Sequence, residues 1–432
     1  MPKRVLFISN GHGEDNHSAY VIRTLKKLAP EIDIAAIPIV GEGNAYRRLD
    51  VPILGPTQVL PSGGFTYVNR WLLLKDIRAG LLGLSWRQIK ALRHHGPQFD
   101  LVHATGDSVG QTCAYLTQRP FISFISCLSA LYEGHLQTDF VMRFVVRSPR
   151  CRAIITRDPH TAEDLSQQGF EKVHYGGIPS LDWLLPEGKD LSLKPDVPMV
   201  ALLPGSRMPE AVRNFKLQMQ FVAEAAQLMG DTVQFRAALV PALMAAVPTL
   251  ATEAGWQYES GRLFCPQDNG AIAEILCYDN AFNDIVCHTT LVIGMAGLAV
   301  DQAVALGKPV IQIPGEGPQF NYAFAEAQDR LLGLSAQTIG QAPADQSTLR
   351  EAAHCLQKTL ADQDYLTACI DHGRARLGTR FLQTVRGFAE GGLVSRSLAN
   401  SLGRQPEQAV LGFGKGVIEL WPFSRNLNDR LA

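Results

Sequence analysis

The sequence predicts an α/β protein built from two doubly wound, Rossmann-like domains, and three observations carry this. Short apolar runs alternate with helical patterns, 432 residues exceed what one compact core fills, and a proline- and charge-rich stretch interrupts the series near its middle. Strands are predicted at 5–9, 32–40, 100–104, 121–125, 153–156, 173–176, 199–203, 235–240, 291–293 and 310–313. Most of these runs are apolar without alternation, as strands of a parallel sheet covered on both faces must be. The interruption, Leu185-Pro-Glu-Gly-Lys-Asp-Leu-Ser-Leu-Lys-Pro-Asp-Val-Pro198, reads as an interdomain linker. The expected division is therefore 1–185, a linker at 186–198, 199–390, and a Gly/Ser/Arg-rich tail at 391–432 folding back on the first domain. Two such domains are expected to face a cleft at the carboxyl ends of their sheets, where open α/β sheets bind ligands.

Bulk composition narrows the class. The chain carries a net charge of −1, so no global field draws it to nucleic acid. Its eight cysteines show no Cys-x-x-Cys and no zinc-like spacing with histidine, which suits reduced thiols in a cytoplasmic protein. The opening Met-Pro-Lys-Arg-Val-Leu-Phe-Ile-Ser-Asn10 is basic and then apolar, but the run stops at Asn10-Gly11, too early for a signal peptide and right for a first strand. No stretch reaches the roughly 18 apolar residues needed to span a membrane. The sequence leaves a homodimer open.

The most informative local feature is Val200-Ala-Leu-Leu-Pro-Gly-Ser-Arg-Met-Pro-Glu210, a buried strand broken by Pro204-Gly205 and followed by a helix. Ser206 is the expected N-cap, and the free amides of the helix start with the Arg207 guanidinium form a candidate phosphate site. An ordinary turn with a surface arginine fits the same residues. A second such element, Leu291-Val-Ile-Gly-Met-Ala-Gly-Leu-Ala-Val-Asp-Gln302, offers backbone amides across Gly294, Met295, Ala296 and Gly297, with Asp301 and Gln302 one turn later as candidates for ribose hydroxyls. Close packing alone also explains the glycines. The next loop, Pro314-Gly-Glu-Gly-Pro-Gln-Phe-Asn-Tyr322, adds Gln319 and Asn321 as candidate readers of sugar hydroxyls.

In the first domain, Ser9-Asn-Gly-His-Gly-Glu-Asp-Asn16 follows the first strand, with Asn10, Gly11 and Gly13 shaping a loop that carries His12, Glu14 and Asp15. These titratable groups suit substrate hydroxyls or proton transfer, or simple helix capping. Asn16 stands where a dinucleotide fingerprint needs its third glycine, which argues against NAD. Ala104-Thr-Gly-Asp-Ser108 places Asp107 at another strand end, as a base or as a helix cap; His103, two residues earlier, is expected to pack.

Taken together, these motifs resemble those of the GT-B glycosyltransferases, and among them the lipid-A-disaccharide synthase family in its divergent related branch. The matching segments are the 9–15 loop, Gly106-Asp107, Gly176-Gly-Ile-Pro-Ser-Leu-Asp182 and Leu202-Leu-Pro-Gly-Ser-Arg-Met-Pro-Glu210, over about residues 4–390. The family's Ser-Gly-Thr-Ala-Thr-Leu-Glu loop is altered here to Gly294-Met-Ala-Gly-Leu-Ala-Val-Asp301, and Ser108-Val-Gly-Gln-Thr112 replaces an Asn-containing segment. The Pro318-Gln-Phe-Asn-Tyr-Ala323 loop instead looks like the donor-sugar loop of the peptidoglycan N-acetylglucosaminyl transferase and the diacylglycerol glycosyltransferases. The resemblance implies an inverting transferase that uses a UDP-sugar such as UDP-GlcNAc, with Gly205, Ser206, Arg207 and Glu210 among the donor contacts. It implies a lipid acceptor on the first domain with Asp107 as the base, and no metal or other cofactor. The only Asp-x-Asp, Asp362-Gln-Asp364, lies in a polar helical stretch far from a strand end.

A lipid acceptor agrees with residues 65–95. There Trp71, Leu72, Leu73, Leu82 and Trp86 interleave with Arg70, Lys75, Arg78, Arg87, Lys90 and Arg93, a pattern suited to an anionic interface at the cytoplasmic face of a membrane. A pair of core-packed amphipathic helices is the other reading of this segment. A UDP-GlcNAc 2-epimerase of the same fold and a catalytically degenerate binding protein are the rival functions.

Overall fold

The computed structural model describes residues 3–58, 78, 80–317 and 320–377, and the chain divides into two compact units that meet in sequence at Trp183 and Leu184. Trp71, Leu72, Leu73, Gln319 and the 391–432 tail lie outside the described residues.

The first unit is a parallel sheet in the order β2-β1-β3-β4-β5-β6. Its strands are β1 Arg4–Ser9, β2 Asp33–Pro38, β3 Leu101–Thr105, β4 Phe121–Ile125, β5 Cys151–Thr156 and β6 Val173–Tyr175. Between them run α1 His12–Leu28, α2 Asn44–Arg47, α3 Leu81–His95, α4 Ser108–Leu116, α5 Phe140–Val146 and α6 Pro159–Gln167. The unbroken apolar run of β1 serves two cores at once. Val5 and Phe7 pack with Ile22 and Leu25 of α1, while Leu6 and Ile8 pack on the opposite face with Leu92 and Phe99. Because the chain leaves β1 toward β2 and returns to β3 on β1's other side, the order reverses between β1 and β3, and the loops after those strands open on one crevice.

The second unit repeats this logic with a longer sheet, β14-β13-β12-β7-β8-β11-β10-β9. In chain order its elements are β7 Met199–Leu203, α7 Glu210–Met229, β8 Gln234–Ala238, α8 Pro241–Glu253, β9 Gln257–Glu259, β10 Arg262–Pro266, β11 Ile272–Tyr278 and α9 Phe282–His288. They continue with β12 Leu291–Gly294, α10 Leu298–Ala305, β13 Val310–Gln312, α11 Tyr322–Leu332, β14 Ala336–Thr338, α12 Gln346–Ala361 and α13 Gln363–Leu377. Here the reversal falls between β7 and β12, which pair in parallel from Leu291–Val200 to Gly294–Leu203. The antiparallel strands β9 and β10, the alternating strand β11 and the edge strand β14 are not predicted from sequence, since they are short, polar or only half-buried.

The segment expected as a linker is fastened to the second unit. Asp284 Oδ1 accepts the backbone N–H groups of Glu187, Gly188 and Lys189 at 3.0, 2.8 and 3.2 Å. Arg236, buried on β8, donates to the carbonyls of Leu191 and Ser192, each at 2.6 Å. A buried guanidinium needs such acceptors, and here the chain that carries them is held in place as a result.

Candidate functional site

Each switch point gathers predicted residues: Glu14 and Asp107 at the first, and Arg207 together with the buried Glu210 at the second. In the second unit, the loops after β7, β12 and β13 converge. Gly205 has φ +93°, a left-handed conformation, and its backbone lies so near the β12 loop that a Cβ there would stand 3.1 Å from the Met295 carbonyl. Arg207 is half-buried in the same loop, its carbonyl accepting from Ala211 N at 2.9 Å. Ser206 is not the N-cap. The helix begins at Glu210 with Pro209 in the cap position and no side-chain cap bond, because Pro209 fixes its own φ and disfavours helical geometry at Met208. Ser206 is instead an exposed loop residue. Glu210 is buried at 4% exposure and shares the space over Gly317 with Arg213, since a Cβ on Gly317 would come within 2.5 Å of Glu210 Oε1 and 3.0 Å of Arg213 Nη2.

At the β12 end the expected run of ligand-facing amides is shortened. Met295 N donates to Leu203 O at 2.9 Å and so continues the sheet, and its side chain packs with Phe320 and Ala325. Gly294 serves close packing, because a Cβ on it would meet Val300 Cγ2 at 2.5 Å. Gly297 caps α10, and the first bonds back to its carbonyl come from Val300 N and Asp301 N, so the amides before Val300 stand at the open end of the helix. Ala296 and Gly297 are half-buried there.

Asp301 and Gln302, expected to bind ribose hydroxyls, are buried on α10. Their exposures are 5% and 4%, and α10 also packs against α13, where a Cβ on Gly373 would stand 2.0 Å from the Val304 carbonyl. Asn321, expected to read a sugar, caps α11 by accepting from Phe324 N at 3.0 Å. Asp362 of the lone Asp-x-Asp likewise accepts from Tyr365 N at 2.8 Å at the start of α13.

In the first unit, the loops after β1 and β3 meet through Asn10, whose Nδ2 donates to Asp107 Oδ1 at 2.8 Å. The same oxygen caps α4 by accepting from Val109 N at 2.9 Å, so the capping role weighed for Asp107 is realised. Burial raises the Asp107 pKa above the ordinary carboxylate value; the Val109 N–H opposes this and the nearby charge of Asp139 adds to it. Gly106 at φ +132° lets the loops touch, for a Cβ there would lie 2.9 Å from Asn10 Cβ. Gly11 is the N-cap of α1, Gly13 faces Cys127 Sγ, and the half-buried Glu14 lies against Gly11 and Gly106. His12 is the first residue of α1.

Asp15, a candidate for proton transfer to substrate, is turned inward and is only 2% exposed. Ser9 Oγ donates to its Oδ1 at 2.5 Å and lies 2.5 Å from the Tyr46 hydroxyl. Burial lifts the Asp15 pKa from 3.8 to about 7, partly offset by the Ser9 bond and reinforced by Glu14. Beside this group, Ser18 Oγ donates to Thr105 Oγ1 at 2.7 Å, which lies 3.2 Å from His103 Nδ1. His103 packs as expected, stacked on Phe7 with its pKa pushed down to about 4, chiefly by burial. Asp15 is therefore part of a polar layer beneath the loop. Sequence reasoning missed its partner Tyr46; the polar ends of two apolar strands, Ser9 and Thr105, were the available signal.

Two helices of the first unit are apolar on their outer as well as inner faces. On α3, Leu84, Gln88 and Leu92 face inward while Leu82 and Trp86 are 69% and 57% exposed, beside exposed Arg87, Lys90 and Arg93. On α5, Met142, Val145 and Val146 are buried while Phe140, Val141 and Phe144 are exposed. Both helices pack on α4, where the Phe144 and Tyr115 rings meet at 5.8 Å. Arg78 is exposed just before α3. No described helix is long and apolar enough to cross a membrane.

No protein-family model matches this sequence, and no curated protein matches it either. Solved structures do. A putative UDP-N-acetylglucosamine 2-epimerase from Listeria monocytogenes superposes with a TM-score of 0.54 at 12% identity, over 91% of this chain and 98% of that one. MurG from Acinetobacter baumannii gives 0.54 at 12% identity, over 90% and 100%. A UDP-GlcNAc 2-epimerase from Neisseria meningitidis bound to UDP-GlcNAc gives 0.50 at 14% identity, over 87% and 96%. The chain thus has the GT-B fold, the α/β architecture of two parallel-sheet units expected from its sequence.

Proposed function

We infer that the protein is an inverting glycosyltransferase that moves a sugar from a UDP-sugar, UDP-GlcNAc or a close relative, to a lipid or lipid-linked acceptor at the cytoplasmic face of a membrane. The observation that carries this reading is the contrast between two switch points of like topology. In the first unit, Asp107 follows the end of β3 and Glu14 lies in the first turn of α1 against Gly106, and their charge disfavours an anion but suits a hydroxyl that must lose its proton. In the second, a left-handed glycine, Arg207 and the open end of α10 form a setting for a diphosphate. Epimerases share the fold, and one of them is bound to UDP-GlcNAc. What favours transfer here is the apolar and basic outer face of α3 and α5, on helices that flank the one Asp107 caps; epimerisation of a soluble nucleotide sugar has no use for such a face.

In the proposed reaction, Asp107 takes the acceptor O–H proton as that oxygen bonds to the anomeric carbon. The bond from that carbon to the UDP oxygen breaks, and the released diphosphate charge is stabilised by Arg207 and the amides of the α10 end, with no metal cofactor. A raised pKa makes Asp107 the stronger base once it is ionised. The test is incubation with sugar-labelled UDP-GlcNAc and membrane lipid extract, with and without EDTA. Label should enter the organic phase equally in both. Conversion of the sugar nucleotide to its 2-epimer without lipid labelling would instead establish the epimerase, and EDTA-sensitive transfer would refute the metal-free mechanism.

A further inference from the structure

The inner face of α7 carries two buried amides one turn apart, Asn214 and Gln218, at 4% and 0% exposure. Asn214 Nδ2 lies 3.0 Å from Pro204 O and 3.4 Å from Met295 O, so a single amide group holds the first residue of the β7 loop and the first residue of the β12 loop. Its Oδ1 is buried with no hydrogen-bond partner among the described residues and abuts the third loop, 3.1 Å from where a Cβ on Gly315 would stand. Gln218 differs in one respect: its Nε2 donates at 3.0 Å to Ile293 O, within β12 and below the loops.

We propose that Asn214 is a positioning residue of the nucleotide-sugar site, setting the spacing between the β7 and β12 loops and hence between Arg207 and the open end of α10. This rests on the reading of that switch point as the diphosphate site. The physical argument is that the Met295 amide is already used by the sheet, so the carbonyls of Pro204 and Met295 are the points from which the two loops diverge, and Asn214 ties both. A diphosphate spanning the two loops needs them at a fixed separation before it binds. An apolar residue at 214 leaves two buried carbonyls short of a donor and the loops free to drift apart.

Gln218 supplies the control, because Gln218→Ala removes a comparable buried bond without touching the loops. Asn214→Asp keeps the volume but replaces the donor by an acceptor, and Asn214→Ser keeps a donor on too short an arm; should the first not fold, the second carries the comparison. UDP affinity by calorimetry, thermal melting and amide hydrogen exchange of residues 205–207 and 296–299 are measured on each. The Asn214 variants should bind UDP at least about tenfold more weakly and exchange faster in both loops, whereas Gln218→Ala should melt lower with affinity and loop exchange unchanged. Asn214 variants that only melt lower, with wild-type loop exchange, would overturn the proposal. A wild type that binds no UDP would sink the diphosphate reading, while the exchange measurement would still decide whether Asn214 holds the loops.

Discussion

Replacing Asp15 by Asn should make the protein more stable at pH 8 and much less so at pH 4. Asp15 is 2% exposed, and the hydrogen bond from Ser9 is too little to offset its desolvation, so its pKa rises from 3.8 to about 7. In the window between those values the folded state binds a proton that the unfolded chain has lost. Stability therefore falls as pH rises through the window, by 1.36 kcal/mol per pH unit at most. Over the full window the ionisation penalty is about 4 kcal/mol, fully absent below pH 3.8 and fully present above about pH 7. Asn keeps a carbonyl to accept the Ser9 hydroxyl and cannot ionise. Urea denaturation of wild type and Asp15→Asn at half-unit steps from pH 4 to 8 reads the difference directly, because groups common to both proteins cancel apart from coupling to Glu14. The variant's advantage should grow steadily with pH. A difference that stays constant across the range would refute the argument, showing that Asp15 is ionised and solvated throughout.

Arg207→Ala should weaken UDP binding about 10- to 100-fold, the loss of one charge-assisted contact, and calorimetry that finds unchanged affinity removes the proposed anion site. Asp107→Asn should lower turnover by about 10²–10⁴ with UDP affinity intact, since Asn can still cap α4 but takes no proton; near-normal turnover would move the base to Glu14 or His12. Replacing the exposed Phe140 by Ser should reduce sedimentation with anionic vesicles, and Arg87→Glu with Lys90→Glu should do so in a salt-sensitive way, neither altering the melting temperature much because these side chains are exposed. Wild-type protein that ignores such vesicles at low salt would remove the membrane from the proposed function.

How much was legible follows from what each signal encodes. The apolar runs of β1, β4 and β7 could be read because a parallel strand buried on both faces leaves little room for polar residues, and 5–9, 121–125 and 199–203 obey this almost without exception. The loops at 9–15, 104–108, 204–207 and 294–297 were legible for the same reason: glycine and polar residues directly after such a strand mark its carboxyl end, where both switch points lie. What the pattern does not encode is the direction of a side chain within a loop. Glu14 and Asp15 are neighbours in the first turn of α1, yet helical geometry turns one toward Gly11 and Gly106 and the other into the layer with Ser9 and Tyr46, a partner 31 residues further on. Spacing from a glycine loop puts Asp301 and Gln302 one turn into α10 but does not encode their burial on a helix that also packs against α13. Asn214 and Gln218 are illegible in the sequence for the converse reason. On a helix whose inward positions include Ala211, Phe215, Met219 and Val222, two amides read as surface until the sheet's reversal places loop and strand carbonyls beneath them. A buried polar residue on an apolar helix face has to find a partner. Where that face covers the carboxyl ends of strands on either side of a reversal, the partners on offer are the backbone groups that shape the ligand loops, so an amide at such a position is a candidate for holding them.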